Sequence, residues 1–510
     1  MTSPQTATGT AAGNTAAVVL RNVRIGSGGP LAHVVIDGGR IAAITLEVPA
    51  GAAGEVVDAG GRTVLPGLWD AHVHMVQWAS ARRRVDLAQA PSAAAAARTM
   101  EQAARGGQRP RDEPLIGFGF RDGLWPDRPE PALLAWSQAS GQAVALVSND
   151  LHTAWLNGAA LDRLGLSGHP SGVLREAECL DAVARLSEAD PAVVDRRVAD
   201  AVRAAAARGV VGLLDFEYAD NLADWTRRAG QAPLDTRVAC AVYPAHLDEA
   251  IAQGLRTGDV LPGTGGLVRV GPLKLFVDGS LNTRTALCNE PYPGMPGSDH
   301  EYGILQTEPR ELERLMARAA AHGIHSAVHA IGDRANTIAL DAFEKVGCPG
   351  RIEHAQLIDR ADLPRFARPG LVLGVQPAHA TDDRDIADRH WAGRTDRSFA
   401  YAELSAAGAE LQIGSDAPVS PLDPWLGIAA AVHRSGADRR PEWHPEQAIG
   451  LPGALAAAAA GRRSVRVGDR ADLVVTEHDP ALLAPHELPG MQVFCTLLAG
   501  RFTHRADQAA

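Results

Sequence analysis

At 510 residues, with 46% hydrophobic and 21% charged side chains, the chain is too long for one small core and suits a large globular barrel with accessory units. Its 60 acidic residues against 49 basic ones give a formal charge of -11, a field that argues against nucleic acid or an anionic membrane and leaves a small molecule as the expected partner. The five cysteines lack CxxC spacing, and no stretch reaches the roughly 20 uninterrupted apolar residues of a membrane helix, so a reducing, cytoplasmic setting is expected.

Residues 1–16 hold no Lys or Arg and no apolar run, and their Thr/Ala/Gly/Ser content predicts a disordered leader rather than a secretory signal. From Ala17 to Pro66 short stretches alternate apolar and polar residues, with Asp37-Gly38-Gly39 as a hairpin turn. The far end repeats this character at 464–476 and 492–504. Neither end has enough strands to bury a face alone, so 17–66 and 462–506 are expected to meet in one small, discontinuous β-sandwich domain.

Between them, 67–461 alternates strands with helices. Apolar runs at 64–71, 210–216, 236–243, 268–277, 324–329, 351–356, 371–376 and 410–415 predict eight strands. Helical stripes separate several of them, for example Leu312, Leu315, Met316 and Ala319 before Gly323, and Ile338, Ala342 and Val346 before Gly347. Strands and helices in alternation predict a parallel (β/α)8 TIM-like barrel. The interval after the first strand is too long for a loop, so 80–205 is expected to be an inserted subdomain with strands at LIGFGF and AVALVS. A homo-oligomer is compatible with such a barrel, although no interface is legible in the sequence.

The chemistry-bearing residues cluster at strand ends. Asp70-Ala-His72-Val-His74 closes the first strand, and residues two apart on a strand face one side, so His72 and His74 can share a metal. His329 closes the fifth strand, His354 the sixth and Asp416 the eighth, while Lys274 lies inside the fourth between leucines. Active sites form at this end of a barrel, and buried polar residues are costly without partners. Histidines and a carboxylate converging from separate strands suit Zn²⁺ or a similar divalent ion. Five unrelated, hydrogen-bonded core residues are the plain alternative. Lys274 either pairs with a carboxylate or, with its pKa lowered, adds CO₂ and becomes a ligand.

Asp-Ala-His-Val-His, Lys-Leu-Phe-Val-Asp-Gly-Ser, His-Ala-Ile-Gly-Asp-Arg-Ala, Arg-Ile-Glu-His-Ala-Gln and Gly-Ser-Asp-Ala-Pro-Val, in this order, resemble the amidohydrolase superfamily. More narrowly they resemble amidohydrolase family 3, the branch containing N-substituted formamide deformylases. The resemblance implies that His72 and His74 bind one metal and His329 and His354 a second, so one or two ions are expected. It implies that Lys274 is carboxylated and bridges them, and that Asp416 contacts the first and shuttles the proton. The implied reaction is hydrolysis of a non-peptide C–N bond, an N-formyl or N-acyl amide, by metal-activated hydroxide. A cyclic amidohydrolase or deaminase on the same centre, and a catalytically silent binding protein on the same fold, are the alternatives.

Asn149 and His152 match a family segment near the substrate pocket. Trp125 either lines that pocket or packs in the insertion's core, and Arg284 either binds substrate or pairs with Asp278. Asp333 and Glu353 are expected to position His329 and His354 from behind. Asn282 and Cys288-Asn-Glu-Pro depart from the family pattern, which bears on substrate rather than on metal.

Overall fold

The computed structural model describes residues 17–506 except 48–53, 107–112, 121–124, 149–152, 176, 188–189, 296 and 437–439. Eight strands form the central sheet: β1 (Leu68–Val73), β2 (Val210–Asp215), β3 (Arg237–Val242), β4 (Val268–Phe276), β5 (Ser326–Ala330), β6 (Gly350–His354), β7 (Leu371–Val375) and β8 (Glu410–Ile413). They are ordered as in the chain and every adjacent pair is parallel. Most carry runs of Val, Ile and Leu, as strands covered on both faces require.

The ring closes just beyond β8. Asp416 N donates to the His72 carbonyl at 2.7 Å and His74 N to the Ala417 carbonyl at 2.9 Å. Gly414 permits this seam, because a Cβ there would stand 2.5 Å from His72 N. The eight expected strands are therefore present as a (β/α)8 barrel. The first run is divided: Thr63–Pro66 joins the terminal sheet, Gly67 turns, and β1 begins at Leu68.

The chain ends share one eight-stranded sheet. Thr63–Pro66 pairs antiparallel with Leu473–Thr476 and parallel with Val18–Ile25. Val18, Leu20, Val34, Ile36 and Ile41 from the first end pack with Leu473, Val475, Cys495 and Leu497 from the other in a single core. This sheet is anchored to the barrel by Asp472, which accepts Arg237 Nε at 2.7 Å, Arg237 Nη2 at 2.9 Å and Ala499 N at 2.8 Å. Both side chains of the pair are buried. Asp472→Ala would leave a buried guanidinium unpaired, and an unfolding free energy lower by about 3 kcal/mol is expected in urea titration at pH 7. Burial alone would raise the Asp472 carboxyl, but Arg237 holds it below its ordinary value. Its stabilisation is therefore present at neutral pH and is lost as acid protonates the carboxylate, so the gap between wild type and variant should close on acidification.

Residues 79–198 form a separate compact unit. Its five-stranded sheet runs Val173–Arg175, Thr153–Leu156, Val144–Ser148, Leu115–Phe120, Val85–Asp86. Alternation along Val144–Ser148 feeds two cores: Val144 and Leu146 pack with helix Ala93–Arg105, and Ala145 faces the side of Leu161 and Ala182. The five cysteines are buried and form no disulfide. Among the described residues no helix is long and apolar enough to cross a membrane.

Candidate metal centre

Three carboxylates fix the backbone around the histidines. Asp70 accepts His72 N at 3.1 Å and Ser415 N at 2.9 Å, stitching β1 to the segment after β8. Burial raises its pKa to about 6. Asp215, at the end of β2, accepts Met75 N, Glu217 N and the Trp225 indole N–H, which holds the chain directly after His74. Asp278 accepts three amides, from Leu287, Ile331 and Gly332, and so orders the loops beyond β4 and β5.

On this frame His72 and His74 converge on Asp416. Their Nε2 atoms lie 3.6 and 3.4 Å from Asp416 Oδ1. Ligands of a tetrahedral ion with bonds of about 2.1 Å stand roughly 3.4 Å apart, close to both of these distances, and the three ligand atoms all lie within 4.8 Å of one another. Asp416 has φ of 55°, a left-handed backbone that turns its side chain into the cluster. Burial would raise its pKa, but His72, His74, His354 and His379 hold it well below the ordinary carboxylate value.

His354 and His329 complete the inner ring. Rings of His329 and His354 stand 4.4 Å apart, and those of His72 and His354 5.0 Å. Neighbours on a strand normally face opposite sides, yet Glu353 and His354 are both buried; φ of 80° at His354 breaks the alternation. Burial is the main cause lowering His72 to a pKa of about 4 and His329 to about 3, with the Lys274 charge adding to it. Burial likewise drives His354 well below its ordinary value. Neutral imidazoles keep the lone pairs a metal requires.

Three of the four imidazoles have a hydrogen-bonded support, while His74 Nδ1 has no partner among the described residues. His72 Nδ1 faces Glu353 Oε2 at 2.7 Å, and Arg351 Nε donates to the other carboxylate oxygen at 2.7 Å. His354 Nδ1 faces Gln376 Oε1 at 2.8 Å, and His329 Nε2 faces the Gly279 carbonyl at 2.9 Å. The expectation that Glu353 supports His354 is thus corrected: Glu353 points inward and reaches across to His72 on β1. Gly374 makes that reach feasible, since a Cβ there would lie 2.0 Å from Glu353 Oε2. Asp333 is also corrected. It is spent on Asn289 N and Arg397 Nη1 at the start of helix Asp333–Val346, and Asp278, 3.6 Å away, is the carboxylate near His329.

Lys274 is buried, with Nζ 4.3 Å from the Phe216 ring centroid and 5.0 Å from that of Phe276. Burial lowers its pKa to about 8. Arg284 is exposed, with φ of 57°, and Asp278 is committed to backbone amides instead of pairing with it. Trp125 belongs to the core of the inserted unit, where it stacks on Phe120 and donates to the Ala90 carbonyl. Asn149 and His152 lie outside the described residues.

Two residues near the centre escaped the sequence reading. Tyr218, after β2, is 61% exposed yet stacks on His74 at 5.4 Å and lies 5.2 Å from Tyr243 and 5.9 Å from Phe276, an aromatic wall beside the histidines. His379, on the helix Pro377–Asp382 after β7, offers a ring nitrogen within 4.8 Å of ligand atoms of His354 and Asp416. Its strand-end position in Gln-Pro-Ala-His was the available signal.

Comparison with known proteins follows this geometry. The model of the amidohydrolase family matches residues 55–504. The protein YtcJ of Bacillus subtilis (strain 168) is 28% identical over 88% of this chain and 90% of its own. N-substituted formamide deformylase of Arthrobacter pascens is 27% identical over 92% of this chain and 94% of its own. An uncharacterized metal-dependent hydrolase from Pyrococcus horikoshii OT3 superposes with a TM-score of 0.73 at 27% identity, covering 92% of this chain and 99% of that one.

Proposed function

The chain belongs to the amidohydrolase family, and from that premise we propose that it hydrolyses an exocyclic amide, an N-formyl or N-acyl amine, at a centre of one or two divalent ions, Zn²⁺ foremost. The observation that carries this reading is the triangle of His72, His74 and Asp416, sized for such an ion and set at the mouth of the barrel. Likeness to N-substituted formamide deformylase supports the acyclic amide as substrate class.

His72 and His354 each direct Nδ1 to an oxygen, Glu353 and Gln376, which leaves Nε2 as the metal-binding atom. His329 does the reverse: its Nε2–H faces the Gly279 carbonyl and Nδ1 remains. Divalent ions held there would supply Lewis acidity to the scissile carbonyl and would lower the pKa of water to about 7. Asp416 accepts the proton from the attacking water and delivers it to the amine nitrogen as the C–N bond breaks, so the products are a carboxylate and a free amine. Tyr218, Tyr243 and Phe276 present an apolar face to the substituent on that nitrogen. Lys274, as its CO₂ adduct, would supply an anionic donor to those ions.

A hydrolysis screen over N-formyl and N-acyl amines tests the proposal. Release of amine that is abolished by chelator and restored by Zn²⁺ is expected. Turnover confined to ring amides or aromatic amines would move the assignment to a cyclic amidohydrolase or deaminase, and a protein purified without metal would favour a binding role. A Tyr218→Ala variant should raise KM about tenfold for amides with an aryl substituent on nitrogen, from lost apolar contact, and leave KM for N-methyl amides nearly unchanged.

A further inference from the structure

His379 is a buried imidazole with a vacant edge. Its exposure is 5%, and its Nε2 has no hydrogen-bond partner among the described residues. Its Nδ1 faces Gln356 Nε2 at 3.5 Å, the arrangement in which an Nε2–H tautomer can accept from the amide. An N–H buried without a partner is destabilising, a cost that a bound oxygen would remove. The same ring lies within 4.8 Å of ligand atoms of His354 and Asp416, beside the reacting centre.

We propose that His379 donates its Nε2–H to the scissile carbonyl oxygen and holds the negative charge that builds on it during attack. The role rests on the amide-hydrolysis reading above. A protonated Nε2 has no lone pair for a metal, so the residue complements the metal ligands instead of adding to them. No bond to His379 forms or breaks, and the hydrogen bond shortens as charge develops. Gln356, itself 3% exposed, is the positioning residue that faces Nδ1.

The test uses the metal-loaded full chain carrying His379→Leu or His379→Gln, with metal content and thermal midpoint measured on each sample. Loss of one such donor typically lowers kcat about 100- to 1,000-fold, and that is expected for His379→Leu with KM and metal content near wild type. His379→Gln, which retains an N–H, should recover part of the loss. Calorimetric binding of methylphosphonate, a tetrahedral anion, should weaken in His379→Leu in step with kcat, whereas planar acetate should bind both proteins alike. Metal lost with the ring would overturn the proposal in favour of a ligand role. Equal methylphosphonate binding by the two proteins, including none by either, would overturn it as well. Methylphosphonate discrimination without turnover of any amide would sink the substrate assignment and keep the role of His379.

Discussion

Asp416→Ala is expected to lower kcat about 1,000- to 10,000-fold, a larger loss than the fall in metal affinity. The two effects separate because the residue has two duties of unequal replaceability. As a proposed metal donor it is one of several, since His72, His74 and His354 have ligand atoms within 4.8 Å of it. As a proton carrier it is harder to replace, since imidazoles that give their lone pairs to metal ions have none left to take up a proton. An amide nitrogen leaves poorly without a proton, so the chemical step should suffer most. Asp416→Asn sharpens the comparison: it keeps an oxygen for the metal and loses the proton. Metal analysis and amine release on one preparation decide the matter. A metal-replete Asp416→Ala protein with more than a tenth of wild-type turnover would falsify the assignment.

The strands and the residues at their ends were legible because each depends on local pattern. Buried parallel strands read as apolar runs, and an ionisable residue that interrupts such a run is conspicuous, as with Lys274 inside β4 or His329 in β5. What lies behind those residues was not legible. Glu353 was assigned by adjacency to His354, yet it serves His72, which is 281 positions away and brought close by barrel closure. Asp333 followed His329 by four positions and was assigned to it, but the start of a helix turned it toward Arg397. Asp215 and Gly374 have no local signature, since one acts through amides of a distant loop and the other by what it lacks. His379 lies on a helix past β7, where a single histidine in a polar run carries no periodic mark. The split of the first apolar run between two sheets depended on Gly67, which would meet Val211 at 2.5 Å if it bore a Cβ.

Lys274→Ala is expected to lower turnover about 1,000-fold or more and, in a two-ion centre, to reduce the bound metal toward one ion per chain. The reasoning is a comparison of magnitudes. A buried ammonium costs several kcal/mol of lost hydration. The partners it has here are the faces of Phe216 and Phe276, at 4.3 and 5.0 Å, and cation–π contact returns about 0.5–2 kcal/mol. Glu353 and Asp416 favour the charged form through space, but burial outweighs them and the pKa falls to about 8. A lysine so placed is therefore poorly explained as a cation among histidines that themselves await a cation. Addition of CO₂ would resolve the conflict: the neutral amine would form an N–C bond, one N–H proton would leave to solvent, and the product would be a carboxylate-like anion able to serve as a metal donor. Wild-type protein reconstituted with Zn²⁺ in ¹³C-bicarbonate should show a carbamate carbon by NMR that Lys274→Ala lacks. Short carboxylates such as acetate or propionate, filling the space the side chain vacates, should restore part of the variant's turnover. An unlabelled wild-type holoenzyme together with full metal content in Lys274→Ala would leave the lysine as a plain buried amine, and the centre would then have to work with the histidines and Asp416 alone.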